Sequence, residues 1–283
     1  MTKERICNEN LADYRLFQRH WQGIAEKVLE NGDNAVITAR NKERLQSLAD
    51  LFPKTSLPVS LEVTDMESIK NAVQSAKMRF GTIDVLVNNA GRGYSGAVEE
   101  GDNKAVAELF DTNLFGPISL MKEVLPDMRK QKSGAIINIS SLGVLTCDGG
   151  TGYYAASKAA LEKISIALSK EAEQLGIKVM IVEPGPFRTN FRVSHVQGNN
   201  RSISDYAKIK EARDRLAADP FGQNGDPEKA AKVIVEAINK EDPPKMILLG
   251  EGAADLGIKI LREEIREITK WKDLGEAVGF EKQ

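Results

Sequence analysis

Residues 83–91 read IDVLVNNAG, and this stretch decides the fold. Its first five residues form an apolar run in which Asp84 is the single charge. Strands covered by helices on both faces are apolar at nearly every position, as this run is. The Asn-Asn-Ala-Gly at 88–91 then closes the run. The stretch therefore predicts a buried strand of a parallel sheet.

Similar short apolar runs recur on both sides of this stretch, and segments with helical periodicity separate them. Strands are predicted at 36–38, 56–63, 135–139, 178–182 and 245–249, and helices at 66–80, 104–130, 153–174 and within 202–240. Strands that alternate with helices form βαβ units with right-handed crossovers. The sequence thus predicts an α/β fold, a doubly wound, Rossmann-like parallel sheet, in a single domain over residues 23–283.

Charge and composition narrow the classes of function. The 283 residues include 39 basic and 41 acidic ones, a net charge of -2, without the basic surplus of nucleic-acid-binding proteins. No apolar run approaches the roughly 20 residues of a membrane helix. The two cysteines, Cys7 and Cys147, show no metal-ligand spacing with histidines. We expect a cytoplasmic protein without nucleic-acid, membrane or metal partners.

Four polar residues follow or flank the predicted strands. Tyr154 and Lys158 are four residues apart at the start of a predicted helix, so both project from one face. Ser141 follows the strand before that helix, and Asn113 lies in the preceding helix. Because carboxyl ends of parallel strands meet at one edge, where ligands bind, we expect these residues to lie together there. A Tyr-x-x-x-Lys pair alone also describes a surface aromatic residue beside a solvated lysine.

With their surroundings these residues resemble the short-chain dehydrogenase/reductase (SDR) family. The matching motifs are Asn-Asn-Ala-Gly at 88–91, Asn-Ile-Ser-Ser at 138–141, Tyr-Ala-Ala-Ser-Lys at 154–158 and Glu-Pro-Gly-Pro-Phe-Arg-Thr at 183–189. The resemblance covers residues 23–250 and is strongest to the branch of β-hydroxysteroid-dehydrogenase-like oxidoreductases. It implies hydride transfer between a nicotinamide and a carbonyl or secondary alcohol of a small molecule.

The resemblance makes Tyr154 the acid/base that exchanges a proton with the substrate oxygen. A free phenol has a pKa near ~10, so work near neutral pH requires a fall of about 3 units, or about 4 kcal/mol. One ammonium about 4 Å away, at an effective dielectric of about 20, supplies that much. We therefore expect Lys158 to lower the pKa of Tyr154. The resemblance adds that Lys158 binds the nicotinamide ribose.

Ser141 and Asn113 complete the implied catalytic set. Ser141 would donate a hydrogen bond to the developing alkoxide, the electrostatic task of an oxyanion site. Asn113 would position a water that relays a proton from Lys158, and an equally weighted alternative makes it a helix-kink residue. Ser140 is expected to be a strand-end residue rather than a catalytic one.

The end of the second predicted strand points to NADP(H) as cofactor. Dinucleotide folds place a carboxylate there for an unphosphorylated ribose, and Arg for a 2′-phosphate. Here Arg40 stands without a carboxylate, although it could also be an exposed arginine at a helix start. Glu62 stands where the family usually has Asp at the adenine. The implied cofactor-binding residues are Arg40, Glu62, Val63, Asn89, Ala90, Gly91, Tyr154, Lys158, Pro184, Gly185 and Thr189.

Residues 14–21 depart from the family pattern. The family opens with a strand that ends Thr-Gly-x-x-x-Gly-x-Gly, whose backbone amides hold the pyrophosphate at a helix N-terminus. These residues instead read YRLFQRHW, without a glycine, and no buried strand is evident before them. We expect a damaged first strand and glycine loop, and treat residues 1–22 as an anomalous segment.

A shift of reading frame offers a specific explanation. One nucleotide downstream, Trp21 followed by Gln22 must contain GGC, a glycine codon. The other shifted codons of residues 8–22 permit MKTLLITGCSSGIGK, a complete opening of the family. Our hypothesis is a frame error within residues 1–22. The alternative is a diverged N-terminus that lacks the loop.

Residues 187–221 occupy the place of the family's variable substrate lid. Apolar candidates there are Phe187, Phe191, Val193, Tyr206 and Phe221, though each is also typical of ordinary packing. The resemblance implies a homodimer or homotetramer. An alternative function remains open, that of a catalytically impaired relative without the phosphate loop, either a cofactor-poor binding protein or a degraded gene product.

Overall fold

A computed structural model describes residues 4–8, 22–188, 196–197, 203–218 and 223–279. Its strands are β1 (Glu4–Asn8), β2 (Asn34–Ala39), β3 (Ser56–Ser60), β4 (Val85–Asn88), β5 (Tyr94–Ser95), β6 (Gly134–Ile139), β7 (Ile177–Pro184), β8 (Val196–Gln197) and β9 (Met246–Leu249). Seven of them form a parallel sheet in the order β3-β2-β1-β4-β6-β7-β9, and β5 pairs with β8. This is the predicted doubly wound topology.

Helices connect the strands and cover both faces of the sheet. They are α1 (Gln22–Glu30), α2 (Gln46–Leu51), α3 (Met66–Phe80), α4 (Asn103–Phe110), α5 (Gly116–Gln131), α6 (Gly143–Thr146), α7 (Gly152–Ala172), α8 (Ala207–Ala218), α9 (Pro227–Ile238), α10 (Ala253–Lys270) and α11 (Lys272–Glu276). Helices α1, α2 and α9 pack on one face, and α3, α5 and α7 on the other. The predicted single-domain, Rossmann-like α/β fold is confirmed.

Strand β4 shows why residues 83–91 decide the fold. Val85 and Val87 belong to the core beneath α1 and α9, whereas Leu86 belongs to the core beneath α3 and α5. All three side chains are at most 4% exposed. Successive residues of a strand point to opposite faces, so a strand between two helical layers is apolar throughout.

Helix α3 has the bounds that its sequence predicts. The Asp65 side chain accepts a hydrogen bond from the Glu67 N–H and caps the first turn. Gly81 ends the helix at a φ of 90°, a conformation that glycine adopts without strain. The expected helix over 66–80 is therefore confirmed.

The sequence led us to expect a damaged first strand, and the structure contains a strand at residues 4–8. Strand β1 lies between β2 and β4, with Ile6 in register with Val36 and Leu86. The hydrogen bonds between strands are made by backbone groups alone. A segment between two strands can therefore form a strand even when its side chains do not favour one. Residues 9–21, which include the predicted glycine-loop position, lie outside the described residues.

The predicted helix over 104–130 is interrupted. A π-helical turn, Asp111–Phe115, separates α4 from α5, and its central residue is Asn113. Gly116 follows, where an added Cβ would lie 2.8 Å from the Val63 carbonyl oxygen. Turns of this kind are rare and frequently lie at functional sites.

The C-terminal region is helical, with breaks that the sequence did not reveal. The described residues within 202–240 form two α-helices, α8 and α9, and α10 follows β9. Gly257 of α10 packs against Leu145 of α6, but Ile258, Ile265 and Ile268 are exposed. In the described part of the chain, no helix has the length and apolarity to cross a membrane.

Candidate active site

Ser141 and Tyr154 meet at the carboxyl edge of the sheet. Ser141 follows β6, Tyr154 lies in the first turn of α7, and their hydroxyls are hydrogen-bonded. The Gly143 N–H donates to Ser141 Oγ at 3.0 Å. A Cβ on Gly143 would lie 3.5 Å from the Tyr154 ring. The loop after β6 thus orients the serine and brings it against the phenol.

Lys158 lies one turn along α7 and is buried. Its side chain is 3% exposed, and its Nζ donates to the Ile139 carbonyl oxygen at 2.8 Å. Burial lowers the pKa of Lys158 to about 8, while the charge of Glu162 opposes that fall. The carbonyl at the end of β6 therefore fixes the position of this ammonium.

The phenol of Tyr154 is less acidic here than the sequence led us to expect. Burial raises the pKa of Tyr154 to about 12, and the hydrogen bond with Ser141 lowers it only in part. The prediction that Lys158 acidifies this phenol is wrong for the protein by itself. The physical reason is that the removal of water from the buried phenol dominates its pKa.

Asn113 joins two parts of the edge. The Arg92 N–H donates to Asn113 Oδ1 at 2.8 Å, and Asn113 Nδ2 donates to the Arg92 carbonyl and to Ser157 Oγ, both at 3.0 Å. This side chain is fully buried. It ties the loop after β4 to α7 from within the π-helical turn.

The loop after β4 approaches Lys158 closely. An added Cβ on Gly91 would lie 3.3 Å from Lys158 Nζ and 3.5 Å from Asn113 Oδ1. Ala90 is buried in the core and Asn89 is half-buried. Four of the predicted residues, Asn113, Ser141, Tyr154 and Lys158, therefore lie at one edge together with Gly91.

The predicted adenine-side residues are separated from this cluster along the edge. Arg40 is exposed at the end of β2, where its carbonyl accepts from Ser60 Oγ at 2.8 Å. Glu62 turns one carboxylate oxygen toward Thr64, which donates through its N–H and its hydroxyl. Val63 is buried in the core. In the structure the Glu62 carboxylate thus accepts hydrogen bonds within the loop that follows β3.

The far side of the edge is formed by the segment after β7. The Gly185 N–H donates to the Leu249 carbonyl at 2.8 Å, and a Cβ on Gly185 would lie 3.2 Å from that oxygen. Pro184 is half-buried at the end of β7. Thr189 lies outside the described residues.

Only two of the five lid candidates can be placed. Phe187 packs against the core and Gly225, so it acts in packing. The Tyr206 hydroxyl donates to a Glu99 carboxylate oxygen at 2.8 Å. Phe191, Val193 and Phe221 lie outside the described residues.

Sequence reasoning missed two buried carboxyl groups, Glu162 and Glu183. Glu162 is 5% exposed on α7 and accepts from Ser140 Oγ at 2.5 Å, while Glu183 is fully buried on β7. Ser140 was predicted to be a strand-end residue, and this bond gives it a definite partner. The available signals were a charge four residues after Lys158 and a charge that ends an apolar strand.

Comparison with known proteins identifies the class that this edge defines. The family model described as short chain dehydrogenase matches residues 22–200. The chain belongs to the short-chain dehydrogenase family, and it is an oxidoreductase of that type that acts on CH–OH-type substrates. Members of this family bind nicotinamide cofactors. The predicted family is confirmed.

Relatives and solved structures extend the match over most of the chain. Oxidoreductase BOA17 of Botryotinia fuckeliana is 34% identical over 252 residues, 89% of this chain and 92% of that protein. A 3-ketodihydrosphingosine reductase of Bacteroides thetaiotaomicron is 37% identical over 192 residues, 65% of this chain and 69% of that protein. A crystal structure of a short-chain dehydrogenase from Streptomyces avermitilis has a TM-score of 0.88 at 35% identity and covers 99% of this chain and 100% of its own.

The described residues fit the ribose and nicotinamide end of such a cofactor. Gly91 leaves open the space that a Cβ would take beside the Lys158 ammonium, and Gly185 approaches another backbone closely. A lysine ammonium has three N–H donors, and Lys158 uses one of them for the Ile139 carbonyl. The other donors, beside a glycine that has no side chain, are suited to bind the hydroxyls of a ribose. In the described part of the chain, no group of three His, Cys, Asp or Glu residues could hold a metal ion.

Proposed function

We propose that this protein is an NADP(H)-dependent oxidoreductase that transfers a hydride between the nicotinamide and a carbonyl or secondary alcohol. The observation that carries the proposal is the hydrogen-bonded pair of Tyr154 and Ser141, one helical turn from the buried Lys158 ammonium. A bound nicotinamide supplies or accepts the hydride. The polypeptide supplies the proton and the contacts to the substrate oxygen.

Tyr154 is the acid/base in this proposal. With a pKa of about 12 its phenol remains protonated at neutral pH, which suits donation of a proton from Oη to a carbonyl oxygen during reduction. Ser141 Oγ lies beside the phenol and donates to the same substrate oxygen. Lys158 holds the ribose, and Asn113 holds the loop that contains Gly91 in place.

NADP(H) rather than NAD(H) is proposed because Arg40 directly follows β2 and residues 38–41 contain no carboxylate. Its guanidinium is exposed, so it is accessible to a 2′-phosphate, which it can bind through two parallel hydrogen bonds. Asn89, Ala90, Gly91, Pro184, Gly185 and Thr189 are the proposed contacts toward the ribose and nicotinamide, and Glu62 and Val63 those toward the adenine.

The test is oxidation of NADPH against a panel of carbonyl compounds. The panel includes a long-chain 3-keto compound, because one relative is named for reduction of 3-ketodihydrosphingosine. We expect turnover with at least one hydrophobic ketone and a preference for NADPH over NADH. Absence of turnover with every compound, in a folded protein that binds NADPH, would remove this proposal.

The second candidate is a catalytically impaired relative, and one observation favours it. Residues 9–21, between β1 and α1, contain no glycine where the family holds the pyrophosphate with backbone amides. We propose a frame error within residues 1–22 as the origin of this segment. The nucleotides of codons 8–24 test it, since codons that cannot encode the shifted glycines exclude a frame error.

Two further properties are proposed, an oligomeric state and a location in the cell. We propose a homodimer or homotetramer, supported by exposed apolar side chains such as Ile265 and Ile268 of α10. Sedimentation analysis tests this assembly. We also propose a cytoplasmic location, with which the free, exposed Cys147 thiol is compatible.

A further inference from the structure

Two buried carboxyl groups lie between α7 and the ends of β6 and β7. Glu162 is 5% exposed and Glu183 is fully buried. Charged side chains are almost never buried to this degree unless they are paired. Neither residue belongs to the set that touches substrate or cofactor in the proposed function. Their burial therefore needs a reason of its own.

The contacts of Glu162 lead to the lysine. Glu162 Oε1 accepts a hydrogen bond from Ser140 Oγ at 2.5 Å. The Ser140 N–H donates to the Val182 carbonyl at 2.7 Å, and the carbonyl of the same peptide unit, that of Ile139, accepts from Lys158 Nζ at 2.8 Å. Carboxylate, serine, peptide and ammonium thus form one connected chain of bonds.

Glu162 and Lys158 are also direct neighbours on α7. Side chains four residues apart on a helix lie on the same face, with Cβ atoms about 5–6 Å from each other. The negative charge of Glu162 raises the pKa of Lys158 against the effect of burial. The carboxylate therefore acts on the ammonium through space as well as through Ser140.

The charges around Glu162 decide which carboxyl group is ionised. The charged groups that face it are Lys158 and Lys163 on α7 and Glu183 on β7, and the uncharged Ser140 follows β6 directly. Burial and the charge of Glu162 raise the pKa of Glu183 to about 7, and both of its carboxylate oxygens lack a hydrogen-bond partner among the described residues. Burial raises the pKa of Glu162 as well, but the Ser140 hydrogen bond and the charges of Lys163 and Lys158 oppose that rise. Of the two carboxyl groups, Glu162 is therefore the more readily ionised.

We propose that Glu162 is a positioning residue for Lys158: its carboxylate supplies the negative charge opposite the ammonium and, through Ser140, holds the peptide carbonyl that binds it. The proposal rests on the proposed function only in so far as Lys158 acts in hydride transfer. It explains why a carboxylate is buried on the inner face of α7. Without it, burial would lower the pKa of Lys158 further.

The test is the titration of Lys158 itself, followed by NMR on protein with isotope-labelled lysine side chains. The Lys158 signal is assigned by its loss in Lys158→Arg. In Glu162→Gln, which keeps an oxygen for Ser140 and removes the charge, we expect the pKa of Lys158 to fall by about one unit or more. The control is Glu171→Gln, an exposed carboxylate on the same helix, which should leave the titration unchanged.

Ser140→Ala is the second variant, because it keeps the charge and removes the bond. We expect a smaller fall in the pKa of Lys158 than in Glu162→Gln. An active enzyme provides a further readout, since the pH at which kcat/KM declines as Lys158 loses its proton should shift downward with the NMR titration. A purely structural role would lower kcat without that shift.

The outcomes separate the two proposals. An unchanged Lys158 titration in Glu162→Gln overturns the positioning role, whether or not the enzyme turns over NADPH. A wild-type protein that shows no NADPH oxidation overturns the proposed function, but the lysine titration still decides the role of Glu162.

Discussion

Strands β1 and β6 both end at the carboxyl edge of the sheet, but the residues that follow them differ sharply. After β6, Ser140 and Ser141 are bonded to Glu162 and to Tyr154. After β1, residues 9–21 lack the glycines with which the family binds phosphate. A strand position is filled by backbone hydrogen bonds, which every residue except proline can both donate and accept. A phosphate site needs close backbone approach, which bulky residues prevent.

The sequences of the two strands show the same contrast. Strand β1 reads ERICN and β6 reads GAIINI, and both lie inside the parallel sheet. Charged residues are unusual in a strand covered on both faces. We call the loop after β6 together with α7 the chemical half of the edge, and residues 9–21 the phosphate half. The motifs of the chemical half match the family, whereas residues 9–21 lack the family's glycines. The predictions below probe this difference in order of expected size.

The largest effect is expected at the chemical half. Tyr154→Phe removes the proton donor and should lower kcat at least about 10³-fold, within the usual range for general acid catalysis. Affinity for NADPH, measured by fluorescence, should change little. Tyr153→Phe is the control, because that hydroxyl donates to the Val98 carbonyl, and it should retain activity within a few-fold. Full turnover by Tyr154→Phe would falsify the assignment of the acid.

The next effect concerns the phosphate half. Replacement of residues 8–22 by MKTLLITGCSSGIGK should tighten NADPH binding by about 100-fold or more, because each restored hydrogen bond to a charged phosphate contributes about 1.5–3 kcal/mol. Titration calorimetry on both chains measures this difference. Equal, tight binding by the chain as it stands would show that residues 9–21 form an adequate phosphate site.

A third prediction concerns stability beside the chemical half. The pKa of Glu183 is raised to about 7 from 4.5, so folding favours its protonated form. This contribution is complete below about pH 4.5 and is lost as the pH rises through 7, a change on the order of 3 kcal/mol. Urea unfolding should show that loss between pH 5 and pH 8 for the wild type.

Glu183→Gln should remove most of this pH dependence and stabilise the protein at pH 8. Glu171→Gln, at an exposed position, is the control and should behave like the wild type. If Glu183→Gln loses stability between pH 5 and pH 8 as steeply as the wild type, another group is responsible.

The smallest effect is expected at Arg40. In the protein with the restored glycine loop, Arg40→Ala should weaken NADPH binding about tenfold, or about 1.4 kcal/mol, because the site is exposed to solvent. NADH affinity should stay unchanged, since that cofactor has no 2′-phosphate, and it serves as the internal control. An equal loss for both cofactors would exclude recognition of the 2′-phosphate by Arg40.

Several elements were predictable from local patterns. Helix α3 has its expected bounds because an aspartate cap and a terminal glycine act within a few residues of the chain. Strand β4 was evident from its apolar run, and Tyr154 and Lys158 from their spacing and motif context. Each of these features depends on residues close together in the chain, or on a residue pattern that repeats with the period of the helix or strand.

Other features depended on contacts between distant segments. The π-helical turn at Asn113 arises where that side chain bonds to Arg92, 21 residues away, and to Ser157, 44 residues away. The raised pKa of Tyr154 follows from burial, which no local pattern reports. The burial of Glu183 was missed for the same reason.

The amino-acid sequence by itself determined the order of strands and helices, the family, and the four polar residues at the sheet edge. Periodicity and motif spacing are properties of the chain alone, which is why they could be interpreted without coordinates. The tertiary structure alone decided that β1 enters the sheet, that Lys158 binds the Ile139 carbonyl, and that Glu162 lies next to Ser140. These outcomes depend on which polar groups are removed from water when the helices pack on the sheet, and only the tertiary structure determines that.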